Sequence, residues 1–88
     1  MPSRIVNVAS GSGLHARPAS VFVQAACNAG VPVMIGRPGQ APVNAASILK
    51  VMAIGARCGE PVQLTTDETG SAALDALCAI LAKDLDAV

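Results

Sequence analysis

Aromatic side chains are all but missing from this chain: Phe22 is the only one among 88 residues. An interior built on large rings is thereby excluded, and the core must come from Val, Ile, Leu, Met and many alanines packed in two close layers. Charge is scarce as well, at 14% of residues, which argues against a disordered chain and against a broad basic face for nucleic acid. Acidic residues are absent up to Cys58, where Arg4, Arg17, Arg37, Lys50 and Arg57 stand alone; from Gly59 onward all the acids appear, with Lys83 the only cation. That segregation predicts a positive face toward a phosphate or an acidic partner. No Cys-x-x-Cys pair exists among Cys27, Cys58 and Cys78, and a lone histidine cannot complete a zinc spacing. Neither a metal nor a cofactor is expected, a cysteine-based redox protein is excluded by spacing, and the cysteines read as structural filler. The odd cysteine count, with no signal-peptide pattern, leads to an expectation of a reducing cytoplasm. No apolar run reaches the roughly 18–20 residues of a membrane span.

What is present centres on Gly13-Leu14-His15-Ala16-Arg17-Pro18-Ala19-Ser20, which holds the only histidine. Beyond it Ala19, Phe22, Val23 and Ala26 recur at helical spacing. Proline has no N–H and is tolerated only in a first helical turn, so Pro18 places the helix start near Ala16 with His15 at the cap. The unpaired N–H groups and partial positive charge of a helix N-terminus stabilise an anion beside that imidazole. Arg17 adds a permanent cation with a planar fork of donors. The preceding Ser10-Gly11-Ser12-Gly13 loop can approach a ligand closely through its glycines and reads as the second wall of the site. Ser12, Gly13, Ala16 and Arg17 are therefore the candidate phosphate binders, and His15 and Arg17 the candidate catalytic pair.

Elsewhere the chain alternates between strand and helix patterns. A strand is predicted over 4–8, a helix over 16–28 stopped at Gly30, and a strand over 31–35. Pro38 and Gly39 suit a type II turn leading into a second arm over 40–44, which Pro42 demotes to a sheet edge. Ser47 is a good cap for a short helix that ends at Gly55, with Ile48, Val51 and Met52 toward the core and Leu49 and Lys50 outward. Residues 60–66 alternate as a half-buried strand. Leu74, Leu77, Cys78, Leu81 and Leu85 form the stripe of a last helix, with Asp67, Glu68 and Thr69 supplying acids and a cap at its start. The order β-α-β-β-α-β-α describes one α+β domain over 1–88, an open-faced sandwich with helices on one sheet face and the other face wet.

The stretch Gly13 to Ala19 resembles the active-site signature of the HPr family, the histidine-containing phosphocarriers of the bacterial phosphoenolpyruvate-dependent sugar phosphotransferase system. A second block, Val43-Asn44-Ala45-Ala46-Ser47-Ile48-Leu49-Lys50-Val51-Met52, resembles that family's regulatory serine segment, departing from its commonest pattern at Ala46 and Lys50. The resemblance extends over essentially the whole chain. It implies a four-stranded antiparallel sheet of order 1-4-2-3 under three helices. It implies that His15 takes a phosphoryl group on Nδ1 from enzyme I, charged by phosphoenolpyruvate, and passes it to sugar-specific enzyme IIA domains. It further implies phosphorylation of Ser47 by a serine kinase, reversed by a phosphatase, in some bacterial groups. The expected docking surface comprises Ala16, Arg17, Ser20, Ile48, Leu49 and Lys50 on a monomer that meets neither nucleic acid nor membrane.

Physical reasons favour an imidazole for such a relay. The neutral ring is nucleophilic, its phosphoramidate releases the phosphoryl group as the ring is reprotonated, and the loose anionic transferring group needs mainly positioning and charge stabilisation. A protein of this kind is a co-substrate rather than a stand-alone enzyme. Two other readings remain open on the residues: a paralogous carrier of a nitrogen-linked or regulatory relay, and a non-covalent anion-binding or protein-docking module.

Overall fold

The computed structural model describes residues 2–11 and 13–83. Its elements are β1 (Ser3–Asn7), α1 (Ala16–Cys27), β2 (Val33–Gly36), β3 (Val43–Asn44), α2 (Ile48–Ala53), β4 (Pro61–Thr66) and α3 (Ser71–Leu81). Every strand pair is antiparallel and the sheet order is β1-β4-β2-β3, the order that the family resemblance implies. The alternation expected of β4 holds: Val62, Leu64 and Thr66 point into the core, while Gln63 and Thr65 do not. Across the pairings, Ile35 of β2 meets Leu64 and Ile5 of β1 meets Gln63. The outer face therefore carries Ile5, Met34, Gln63 and Thr65, none of them buried, with Ile5 62% exposed.

α3 packs on β1 and β4, α1 against α2 and α3, and α2 against β3. Phe22, Leu14, Ile35, Leu64, Leu74, Leu77 and Leu81 fill the space between sheet and helices, fully buried. Each such side chain contributes about 1.5–3 kcal/mol of hydrophobic stabilisation, so a single aromatic ring suffices. Among the described residues, no helix is long and apolar enough to cross a membrane. Leu85, assigned to the stripe of the last helix, lies outside the described residues.

Several details depart from the sequence reading for local reasons. β3 has two residues where five were predicted, because the turn Arg37-Pro38-Gly39-Gln40 closes with Gln40 N–H donating to Arg37 O at 3.0 Å and the first pair beyond it is Ile35 with Val43. Gly39 at φ +82° occupies the turn position that favours glycine. α1 is capped by Asn28 rather than Gly30. α3 starts at Gly70, with no acid in its first turn; Asp67 instead accepts hydrogen bonds from the N–H and hydroxyl of Thr69 in its own turn. A side chain at position 70 would meet Thr66, whose buried hydroxyl donates to the Pro32 carbonyl. Ile48 is 38% exposed rather than buried, since the six-residue α2 sinks only Val51 fully into the core. Cys78 is half-buried on the α3 stripe, and burial pushes its thiol above the usual range. Cys27 and Cys58 are exposed rather than core filler.

Candidate functional site

β1 delivers the chain to a loop that ends at α1, and this loop presents the histidine. Leu14 is its anchor: the side chain is fully buried and its N–H donates to Ala56 O at 2.9 Å. Gly13 N–H donates to Ser10 O at 2.9 Å and His15 N–H to Gly13 O at 3.0 Å. His15 then caps α1 in an extended conformation, φ −136° and ψ 151°, as proline chemistry required. Ala16 follows at φ +42°, the one non-glycine residue with positive φ among those described. An L-residue held there costs about 1–3 kcal/mol, and the buried Leu14 and Pro18 on either side maintain it.

No side chain caps α1, and its first turn holds no acid. His15 N–H is bonded within the loop and Pro18 has none, which leaves the N–H groups of Ala16 and Arg17 for an anion outside the protein. The imidazole of His15 and the guanidinium of Arg17 are exposed, and neither forms an ion pair among the described residues. The arrangement is an accessible nucleophile beside a helix N-terminus and a free cation. Such an exposed site can accept a phosphoryl group from a partner and release it again.

The other predicted site residues fall in three places. Ser12 lies outside the described residues. Gly13 has a different role from the one expected: it is buried, its N–H is spent on Ser10, and a Cβ there would lie 2.4 Å from Ala56 O and 2.8 Å from the Arg57 Cα. The backbone of residues 56 and 57 passes so close that it excludes a side chain at this position. Ser20 of α1 is exposed, and α2 presents Leu49 at 78% exposure together with Ile48 and Lys50. Ser47 takes the N-cap position of α2 as predicted, but its hydroxyl makes no capping bond.

The positive face is narrower than the charge segregation suggested. Arg4 pairs with Asp75 at 3.2 Å and Arg37 with Glu60 at 2.9 Å. Arg17, Lys50 and Arg57 remain without an ion-pair partner within 4 Å among the described residues. Sequence reasoning gave no role to the backbone of residues 56 and 57, which supports the loop, or to Val21, an exposed apolar residue on α1. The unbroken run of alanine, arginine and cysteine before Gly59 carries no signal for that role; only contact across the fold reveals it.

Residues 2–83 match the family model of the PTS HPr component phosphorylation site. The chain belongs to the HPr family. The HPr of Streptomyces coelicolor is 49% identical over 87 residues, spanning 98% of this chain and 94% of that protein. HPr of Haloferax volcanii is 44% identical over 80 residues, 89% and 90% of the two chains. The crystal structure of HPr from Bacillus anthracis superposes with a TM-score of 0.83 at 34% identity, covering 91% of this chain and 95% of that one. The function is that of an HPr: to carry phosphoryl groups in the phosphotransferase system.

Proposed function

We propose that His15 is the carrying residue and Arg17 its electrostatic support, in a relay from enzyme I to enzyme IIA domains that serves sugar uptake. A lone pair on the imidazole, Nδ1 in the family this chain belongs to, attacks the phosphorus of phosphorylated enzyme I. The bond to the donor breaks, and its electron pair returns to the donor. The phosphorylated ring gives up its remaining N–H proton to solvent; in onward transfer the enzyme IIA acceptor attacks the phosphorus, the phosphorus–nitrogen bond breaks with its electron pair returning to His15, and the ring regains that proton. The Ala16 and Arg17 N–H groups and the Arg17 guanidinium stabilise the anion at each end of the transfer.

The single observation that supports this most strongly is the uncapped, acid-free N-terminus of α1 with an exposed His15 at its cap. Residues 1–88 act as one carrier domain in the cytoplasm. The exposed Ala16, Arg17 and Ser20 of α1, with Ile48, Leu49 and Lys50 of α2, form the docking surface for acidic partners. Ser47, with a hydroxyl that no capping bond engages, is the regulatory phosphorylation position for a serine kinase and its phosphatase.

Incubation with enzyme I and phosphoenolpyruvate, followed by intact mass measurement, tests the assignment. One acid-labile, base-stable phosphoryl group is expected on the wild type and none on His15→Ala. Label persisting on His15→Ala would falsify it, and an unlabelled wild type would leave only a non-covalent docking module.

A further inference from the structure

Both ends of the loop that presents His15 are bonded to one short turn, and just inside its start Ala9 N–H also donates to Leu81 O of α3 at 3.0 Å. At its start, Val8 N–H donates to Glu60 O at 3.0 Å, and Gly59 N–H donates back to Val8 O at 2.7 Å. At its end, Leu14 N–H donates to Ala56 O at 2.9 Å, and Gly13 lies against the backbone of residues 56 and 57. The position of the imidazole is therefore set by the shape of residues 55–60, not by α1 alone.

That turn is in turn held by a single carboxylate. Glu60 Oε1 accepts the Arg57 N–H at 2.8 Å, and Glu60 N–H closes the turn onto Arg57 O at 3.0 Å. Arg37, from the turn after β2, grips the same carboxylate: Nη1 donates to Oε2 at 2.9 Å and Nη2 to Oε1 at 3.3 Å. Nη2 also donates to Gly55 O at 3.0 Å. One guanidinium thus spans the turn from its first carbonyl to its last side chain. Lysine could not do this, since a point charge lacks the planar fork.

We propose that Arg37 and Glu60 are positioning residues for phosphoryl transfer, holding the 55–60 turn in the shape that places His15. The inference rests on His15 being the carrier. Neither residue touches the phosphoryl group. A half-exposed ion pair contributes little to global stability. Transfer, in contrast, is sensitive to placement: a displacement of about 1 Å at the reacting atoms costs on the order of 100-fold.

The test compares transfer from phosphorylated enzyme I to wild type, Glu60→Ala, Arg37→Met and the double variant. The Arg4–Asp75 pair is the control: it bridges β1 to α3, and neither residue takes part in the bonds given above between the loop and the 55–60 turn. Glu60→Ala and Arg37→Met should each lower kcat by roughly three- to tenfold with KM nearly unchanged. The double variant should lose no more than the worse single, as expected for two groups acting as one unit. Amide exchange at Leu14 should accelerate about tenfold or more in each, and Glu60→Gln, which keeps an oxygen for the Arg57 N–H, should recover part of the rate. Arg4→Met and Asp75→Ala should leave kcat and Leu14 exchange as in wild type. If Glu60→Ala does not fold, Arg37→Lys carries the same comparison. Wild-type kcat in the turn variants, equal losses in the control pair, or unchanged Leu14 exchange would overturn the proposal. Failure of the carrier assignment shows separately, as absence of label on His15 in wild type.

Discussion

The groups within a few residues of His15 divide into those that build the loop and those left exposed to solvent. Gly13, Leu14 and Pro18 are buried, the first two also held by backbone hydrogen bonds, while His15, Ala16 and Arg17 are exposed. Substitution on the two sides should therefore fail in opposite ways. Gly13→Ala combines a φ of +75° with a Cβ driven into Ala56 O; it should cost at least about 1–3 kcal/mol, or roughly 4–8 °C of Tm for each kcal/mol. Arg17→Ala should move Tm by no more than a surface change does, within about 0.5 kcal/mol, yet slow transfer tenfold or more. Thermal melts and single-turnover transfer on the two variants check this; an unstable Arg17→Ala with normal transfer would reverse the assignment. His15 and Pro18 were legible in the sequence because proline's missing N–H and the apolar spacing after it act within one turn. The reason for Gly13 was not, because the atom that excludes a side chain there belongs to residue 56.

Among the elements, helices and strands were recovered by period, and their ends less well. Burial alternation in β4 and the stripe of α3 are properties of many residues at once, so one misread position does little harm. A cap depends on one side chain finding one N–H. Ser47 stands at the right place without making the bond, and Asp67 satisfies Thr69 rather than α3. Because Ser47 makes no capping bond, a phosphate placed on its hydroxyl would displace no cap, and α2 should persist. Ser47→Asp should keep its fold and still be labelled on His15, but accept phosphoryl from enzyme I with a higher KM at low salt. The difference should shrink as salt rises, since screening weakens exposed charges. Equal KM values for Ser47→Asp and wild type at low salt would leave Ser47 as a helix-start residue alone.

Zero net charge conceals two ion pairs among the described residues, Arg4 to Asp75 and Arg37 to Glu60. The acid-free first two-thirds of the sequence read as one positive face; the fold spends two of those cations on the acids of the last third. Linear charge counts cannot show this, because it depends on strand order, which itself came from family resemblance and not from periodicity. The second bond gives a pH dependence with a defined sign. Hydrogen bonding to Arg37, then to the Arg57 N–H, holds the Glu60 carboxyl below its ordinary value in the folded protein. A carboxyl depressed by folding adds stability above its unfolded pKa, about 4.3, and that stability is lost as pH falls through the lower folded value. Arg37 stays charged throughout. The Tm difference between wild type and Arg37→Met should therefore be present at pH 7 and shrink below about pH 4. A difference unchanged at pH 3 would assign it to the Gly55 bond instead.

The sheet order also determines when in its own synthesis the protein becomes usable. β1 emerges from the ribosome first but pairs with β4, Ser3 opposite Thr65 and Asn7 opposite Pro61, and Leu14 waits for Ala56. A nascent chain ending at residue 54 carries the imidazole, the arginine and the proline, and lacks both β4, the partner of β1, and the 55–60 turn to which the loop is bonded. Contacts so distant in sequence form late and slowly. A peptide of residues 1–54 should accept no phosphoryl from enzyme I, and adding residues 55–88 should restore acceptance; labelling of 1–54 alone would show that the helix start suffices. A chain stalled before residue 55 should likewise draw no phosphoryl group from enzyme I.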